Sequence, residues 1–124
     1  MADTLVESSW CEISLPKIAN NLANTLKRLP KNTALCAVVK ADAYGHGIEN
    51  VVPLLIDQNI DHIGICSNAE ARAVRKAGFT GTVLRLRAAT PQEVLNVQNE
   101  RIEEMAVTPA GVQSLMDAIG RHPI

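Results

Sequence analysis

Apolar positions along this chain follow two alternating rhythms. Trp10-Cys11-Glu12-Ile13-Ser14 alternates apolar with polar and predicts a short strand. After Pro16, the residues Ile18, Leu22, Leu26 and Leu29 stand at helical spacing, and Pro30 stops that helix. Residues 34–39 form a continuous apolar run, the mark of a buried strand. A helix follows over about 48–58, where Pro53 is tolerable only in the first turns. Residues 62–66 predict the next strand. Ser67 or Asn68 then caps a helix that runs to Ala77 and is closed by Gly78. Residues 82–87 predict another strand. Thr90-Pro91-Gln92-Glu93 combines an N-cap, a helix-opening proline and a capping-box glutamate. Residues 104–107 predict a last short strand, and Thr108-Pro109 opens a helix to about Ile119.

The order βαβαβαβαβα is that of an α/β domain with a parallel sheet. Such a series builds either an open doubly wound sheet or a closed barrel. A complete eight-stranded barrel takes about 250 residues. The 124 residues of this chain are therefore expected to be the N-terminal portion, about half, of a (β/α)8 TIM-like barrel. Residues 1–124 would form one segment, with the rest of the barrel absent. A half barrel leaves two raw strand edges and an uncovered interior face.

Composition narrows the function classes. Hydrophobic residues make up 47% of the chain, mostly Ala, Val, Ile and Leu, and Trp10, Tyr44 and Phe79 are its only aromatics. The formal net charge is −1, with no basic patch for nucleic acid and no aromatic platform for stacking bases. No apolar run approaches the roughly 20 residues of a membrane helix. Met1-Ala2-Asp3-Thr4 does not begin a signal peptide. A cytoplasmic location is expected, or a periplasmic one if a leader has been removed. Cys11, Cys36 and Cys66 are an odd set without CxxC spacing, which argues against a zinc site or a disulfide framework and for small buried apolar residues.

The stretch that carries chemistry is Ala37-Val38-Val39-Lys40-Ala41-Asp42-Ala43-Tyr44-Gly45-His46-Gly47. A lysine ends a wholly apolar strand and a glycine-flanked turn follows. Ligands of parallel α/β folds sit at the carboxyl ends of strands. Alternation puts Cys36, Val38 and Lys40 on one face and Leu35, Ala37 and Val39 on the other. A lysine amine in a partly dry barrel mouth has the lowered pKa that a Schiff-base lysine requires. The competing reading is a lysine that simply ends a strand in solvent. Gly45 and Gly47 permit close backbone approach, and Tyr44 brings a hydroxyl to the same turn.

Residues 37–47 resemble the attachment motif for pyridoxal 5'-phosphate (PLP) in the alanine racemases. The neighbours agree in order and spacing. Trp10-Cys11-Glu12-Ile13-Ser14-Leu15 is similar to that family's opening strand and Ile18-Ala19-Asn20-Asn21-Leu22 to its first helix. Ile63-Gly64-Ile65-Cys66-Ser67-Asn68-Ala69-Glu70-Ala71 is similar to the next strand-to-helix segment. The resemblance spans nearly all of this chain and about the first third of a family member. It implies that Lys40 forms the internal aldimine with PLP and serves as one of two acid/base groups. It also implies that Tyr44 hydrogen-bonds the cofactor phosphate and that Leu86 and Val38 line the cofactor's surroundings. The implied reaction is racemisation of L- and D-alanine, or of a broader set of amino acids, supplying D-alanine for the cell wall. The second base, a tyrosine from the C-terminal β-domain of a partner subunit, would complete the site in a homodimer. It lies outside this chain, so the 124 residues alone are expected to be inactive.

Other residues admit more than one reading. His46 is a hydrogen-bonding turn residue or a proton carrier. Asp42 pairs with a cation at the barrel mouth or lies at the surface. His62 starts a strand, at the end of a barrel away from chemistry. Arg85 and Arg87 share a face opposite Leu84 and Leu86 and need partners if buried, with helix carboxylates such as Glu70 the natural ones. Arg-x-Arg on that strand, together with residues 67–72, is also closer to the broad-specificity racemases than to strict alanine racemases. Some of those exported enzymes carry a disulfide from the position of Cys36, and His62 stands where its partner would be. Two further functions compete with a racemase. One is a non-catalytic PLP-carrying barrel protein, and the other is an interaction fragment that binds no cofactor.

Overall fold

The computed structural model describes residues 7–120. Helix α1 (Leu15–Arg28) precedes strand β1 (Cys36–Val38), the single turn α2 (Lys40–Tyr44) and helix α3 (Ile48–Asp57). Then follow β2 (His62–Ile65), α4 (Asn68–Lys76), β3 (Thr82–Arg85), α5 (Pro91–Asn96), the 3-10 turn η1 (Gln98–Glu100), β4 (Ile102–Glu103) and α6 (Pro109–Ile119). The helix starts follow the capping chemistry of the sequence. Ser67 and Thr90 each take part in a complete capping box, with Glu70 and Glu93 respectively. Thr108 accepts from the Gly111 N–H at 3.0 Å.

The four strands are parallel and lie in the order β1-β2-β3-β4. Val38 is opposite Gly64, and Gly64 opposite Leu84. A doubly wound sheet reverses its strand order at a switch point; this one does not. Every crossover advances the sheet by one strand, as right-handed βα units do when they curl into a barrel. Ala37, Val39, Ile63, Ile65, Val83 and Ile102 face one way and pack with Leu22 and Leu26 of α1, Val52 and Leu55 of α3, and Ala71 and Val74 of α4. Ile63, Ile65 and Val83 are completely buried there. The opposite face is open: Val38 is 39% and Leu86 36% exposed. These residues stand on the face that a closed barrel turns inward.

Several expectations are corrected. Residues 10–14 form no strand. They run exposed, without a neighbouring strand to take their hydrogen bonds, and the Trp10 indole donates to Glu12 at 3.2 Å. Strand β4 lies at Ile102–Glu103 rather than at 104–107. Its pairing sets Ile102 opposite Val83 and so half-buries it against the core, which outweighs the β propensity of Met105 to Val107. Pro53 lies in the middle of α3, not in its first turn, and is exposed. The turn expected after Lys40 is present, but its backbone is left-handed from Ala41 to Tyr44, which the sequence pattern did not predict.

Candidate functional site at the carboxyl ends of the strands

The ladder at the end of β1 finishes with the Val39 N–H, which donates to the Gly64 carbonyl at 2.9 Å. Val39 is buried, and the chain then turns left-handed. Ala41, Asp42 and Ala43 have φ/ψ of 52/47°, 53/48° and 55/44°, and Tyr44 has φ 56°. Left-handed helical backbone costs an L-residue roughly 1–2 kcal/mol, so four in succession persist only because neighbours determine them. The Ala43 N–H donates to the Val39 carbonyl at 2.8 Å, and the Gly47 N–H to the Asp42 carbonyl at 2.8 Å. Ala43 is buried in the core. Asp42 Oδ1 accepts from the Ile48 N–H at 2.8 Å and so holds the start of α3. Asp42 is thus neither a cation partner nor an idle surface group. Gly45 and Gly47 carry φ of 88° and 87°, and a Cβ at Gly47 would lie 2.8 Å from the Asn50 side chain.

This turn presents Lys40 and Tyr44 on one side, with Lys40 Nζ 5.9 Å from the centre of the Tyr44 ring. Both are exposed. The partly dry surroundings expected for the Lys40 amine are therefore not formed by this chain, because the sheet face beneath it is open. Val38 and Leu86 flank Gly64 on that same face. A Cβ on Gly64 would come within 2.6 Å of Leu86 Cδ1 and 3.5 Å of Cys36 Sγ. Gly64 therefore lets the Leu86 side chain approach β2 closely, and Val38, Gly64 and Leu86 make an apolar floor on the open face of the sheet, at the strand ends from which Lys40 follows. Sequence reasoning missed Gly64 as a site residue, although a glycine inside the apolar strand Ile63-Gly64-Ile65 is a signal of close approach.

Glu70 was placed wrongly. It does not pair with Arg85. One carboxylate oxygen accepts from the N–H groups of Cys66 (2.7 Å) and Ser67 (3.0 Å), and the other from the N–H of Ala41 (3.0 Å). Burial pushes this carboxyl up, but those N–H groups and the Ser67 hydroxyl outweigh it and hold it below its ordinary range. Arg85 is completely buried and forks onto Glu104 at 2.8 and 3.1 Å, with further bonds to the Cys66 carbonyl and Asn68 Oδ1. It faces the helices and not the apolar floor. Arg87 pairs with Glu93 at 2.6 Å.

The two histidines among the described residues, His46 and His62, have local hydrogen-bond partners. His46 Nδ1 lies 2.9 Å from the Ala43 carbonyl and must donate to it, because a carbonyl only accepts. His62 sits at the amino end of β2 beside Asp61. Cys11, Cys36 and Cys66 are free thiols, but not the buried apolar residues expected: Cys11 and Cys36 are exposed and Cys66 is half-buried, Cys36 because it stands on the open face of the sheet. Partial burial still pushes the Cys36 thiol up.

The family model for the alanine racemase N-terminal domain matches residues 13–123. The chain is 41% identical over 116 residues to a broad specificity amino-acid racemase of Aeromonas hydrophila, covering 93% of this chain and 28% of that protein. It is 38% identical to the lysine racemase of Proteus mirabilis, covering 95% and 29%, and 36% identical to an alanine racemase of Geobacillus kaustophilus, covering 81% and 26%. The structure of alanine racemase from Clostridium difficile 630 superposes with a TM-score of 0.83 at 26% identity, over 95% of this chain and 31% of that one. The chain thus spans under a third of the length of these relatives. Its α/β architecture is the N-terminal part of their TIM-like barrel, and the chain belongs to the alanine racemase N-terminal domain family.

Proposed function

We propose that this chain is the cofactor-anchoring part of a PLP-dependent amino acid racemase, with Lys40 as the attachment residue. The observation that carries the reading is the placement of Lys40 beyond the carboxyl end of β1, on an over-determined turn at the strand ends that carry the apolar floor of Val38, Gly64 and Leu86. These residues suit PLP. The amine meets an aldehyde, the apolar floor without a Cβ at Gly64 accepts an aromatic ring, and the Tyr44 phenol can donate to a phosphate.

When bound, PLP supplies an electron sink for charge developing at the substrate Cα. Lys40 would hold the cofactor through Nζ, and its amine would move a proton at the substrate Cα on one face. Tyr44 orients the cofactor through its phosphate. Val38 and Leu86 keep water from one face of the ring. The opposite-face proton carrier comes from outside these residues, from a partner subunit in a homodimer. The substrates are L- and D-alanine, feeding D-alanine to the cell wall. The greater similarity to broad-specificity racemases than to the Geobacillus alanine racemase supports a wider range.

The test is to add PLP, reduce with borohydride and locate the mass increment. Lys40 carries it in the wild type, and Lys40→Ala loses both the increment and racemisation of L-alanine. A Lys40→Ala variant with undiminished activity overturns the reading. A chain of these 124 residues by itself does not racemise, since a misplaced or missing reacting group costs ~100-fold or more in rate. Its open sheet face favours association. A compact monomer with vigorous turnover would contradict both statements.

A further inference from the structure

We propose that Glu70 is the positioning residue for Lys40, acting through the Ala41 peptide. This inference rests on the reading of Lys40 given above. The capping-box glutamate of a helix ordinarily returns its carboxylate to its own N-cap. The described residues contain two such boxes, and they differ. Glu93 uses both oxygens within six residues, on the Thr90 N–H at 2.9 Å and on Arg87 at 2.6 and 3.1 Å. Glu70 uses one oxygen on its own cap, at Cys66 and Ser67, and sends the other to Ala41, 29 residues away on the neighbouring unit.

The receiving N–H is a telling one. Ala41 directly follows Lys40 and is the first of the left-handed residues. The opening N–H groups of a helical turn have no partner within it, so the Ala41 N–H depends on a group from elsewhere. Its peptide plane contains the Lys40 carbonyl carbon. Holding this plane fixes the direction in which the chain leaves Lys40 and starts the left-handed turn that carries Tyr44. Glu70 lies in the first turn of α4, and its carboxylate takes the Cys66 and Ser67 N–H groups just beyond the end of β2, the strand that carries Gly64. One carboxylate therefore ties the amine-bearing turn to the strand that forms the floor. Because the group is ionised well below neutral pH, all three bonds are present under working conditions.

Three variants of the full chain test this. Glu70→Gln can keep the bonds at Cys66 and Ser67 but must turn an NH2 toward the Ala41 N–H. Glu70→Asp keeps the charge and the cap but is too short to span the gap. Ser67→Ala weakens the same helix start and leaves the Ala41 bond alone. Amide hydrogen exchange at Ala41 is expected to quicken in both Glu70 variants and to stay at the wild-type rate in Ser67→Ala. Covalent capture of PLP at Lys40, read by borohydride-fixed mass, should weaken about ten-fold in the Glu70 variants, the size carried by a hydrogen bond to a charged group. Its dependence on pH should shift as well. Affinity for 4'-deoxypyridoxine 5'-phosphate, which has no aldehyde to link, should fall less than capture does, because it reads only the Tyr44 end of the turn; an equal fall in both would overturn a role specific to Lys40.

A wild-type chain that is never tagged at Lys40 overturns the Lys40 reading and this inference with it. A tagged wild type, with Glu70 and Ser67 variants that behave alike in exchange or in capture, overturns the role of Glu70 alone.

Discussion

Arg85 and Glu104 meet through two hydrogen bonds, 2.8 and 3.1 Å long, with the arginine side chain fully enclosed and the glutamate 14% exposed. The pair joins β3 to the segment just beyond β4. Glu104→Ala would leave the guanidinium buried beside only the Cys66 carbonyl and Asn68. Breaking a buried pair from one side costs ~3–5 kcal/mol. Denaturant unfolding should report a loss of that size. The double change Arg85→Met with Glu104→Leu should recover most of it. A Glu104→Ala variant as stable as the wild type would show that the pair does not hold the β3–β4 edge.

Tyr44→Phe should weaken PLP retention without altering the fold, since Tyr44 is 59% exposed. One hydrogen bond to a charged phosphate is worth about 1.5–3 kcal/mol. Titration of the full-length protein with PLP measures this. Affinity equal to that of the wild type would remove Tyr44 from the phosphate.

Gly64→Ala should act on the site more than on stability. The new methyl would stand 2.6 Å from Leu86 Cδ1, and the end of that half-exposed side chain can swing away. The stability cost should sit near the low end of the ~1–3 kcal/mol of overpacking. The displaced Leu86 no longer approaches β2 closely, so cofactor affinity should fall. Thermal unfolding and PLP titration separate the two effects. Unchanged affinity would mean that the Leu86 position is immaterial to the ring.

Acid should loosen the helix starts. The Arg87 side chain, and next the Thr90 N–H, hold the Glu93 carboxyl down from 4.5 to about 2. A carboxyl whose folded value lies below its unfolded one stabilises fully above the unfolded value and loses that contribution as pH falls toward the folded one. Glu70 acts in the same sense. Denaturation midpoints should therefore drop as pH falls from 4.5 toward about 2. Glu93→Gln should flatten part of that fall. Screening at this half-exposed pair keeps its share small. A slope identical in wild type and Glu93→Gln would contradict the assignment.

Local chemistry was legible in the residues themselves. The helix starts at Ser67, Thr90 and Thr108 depend on side chains within three positions of the N-cap, so spacing alone reveals them. The apolar run at 34–39 marked β1, because a strand buried by helices is apolar along its length, and the recurring α/β rhythm placed β2 and β3. The motif around Lys40 identified the family for the same reason, as its residues are contiguous.

Contacts between units were decided only by the tertiary structure. Alternation at residues 10–14 could not show that no strand lies alongside. The pattern near residue 104 could not show that pairing with Val83 favours Ile102 over Met105. Charge alone could not tell Arg85 that its partner is Glu104 and not Glu70, since both carboxylates are available and register chooses between them. The left-handed turn at Ala41 to Tyr44 goes against the intrinsic preference of each of its residues. It is set by Glu70, Asp42 and the burial of Ala43, which come together only after neighbouring strands have paired.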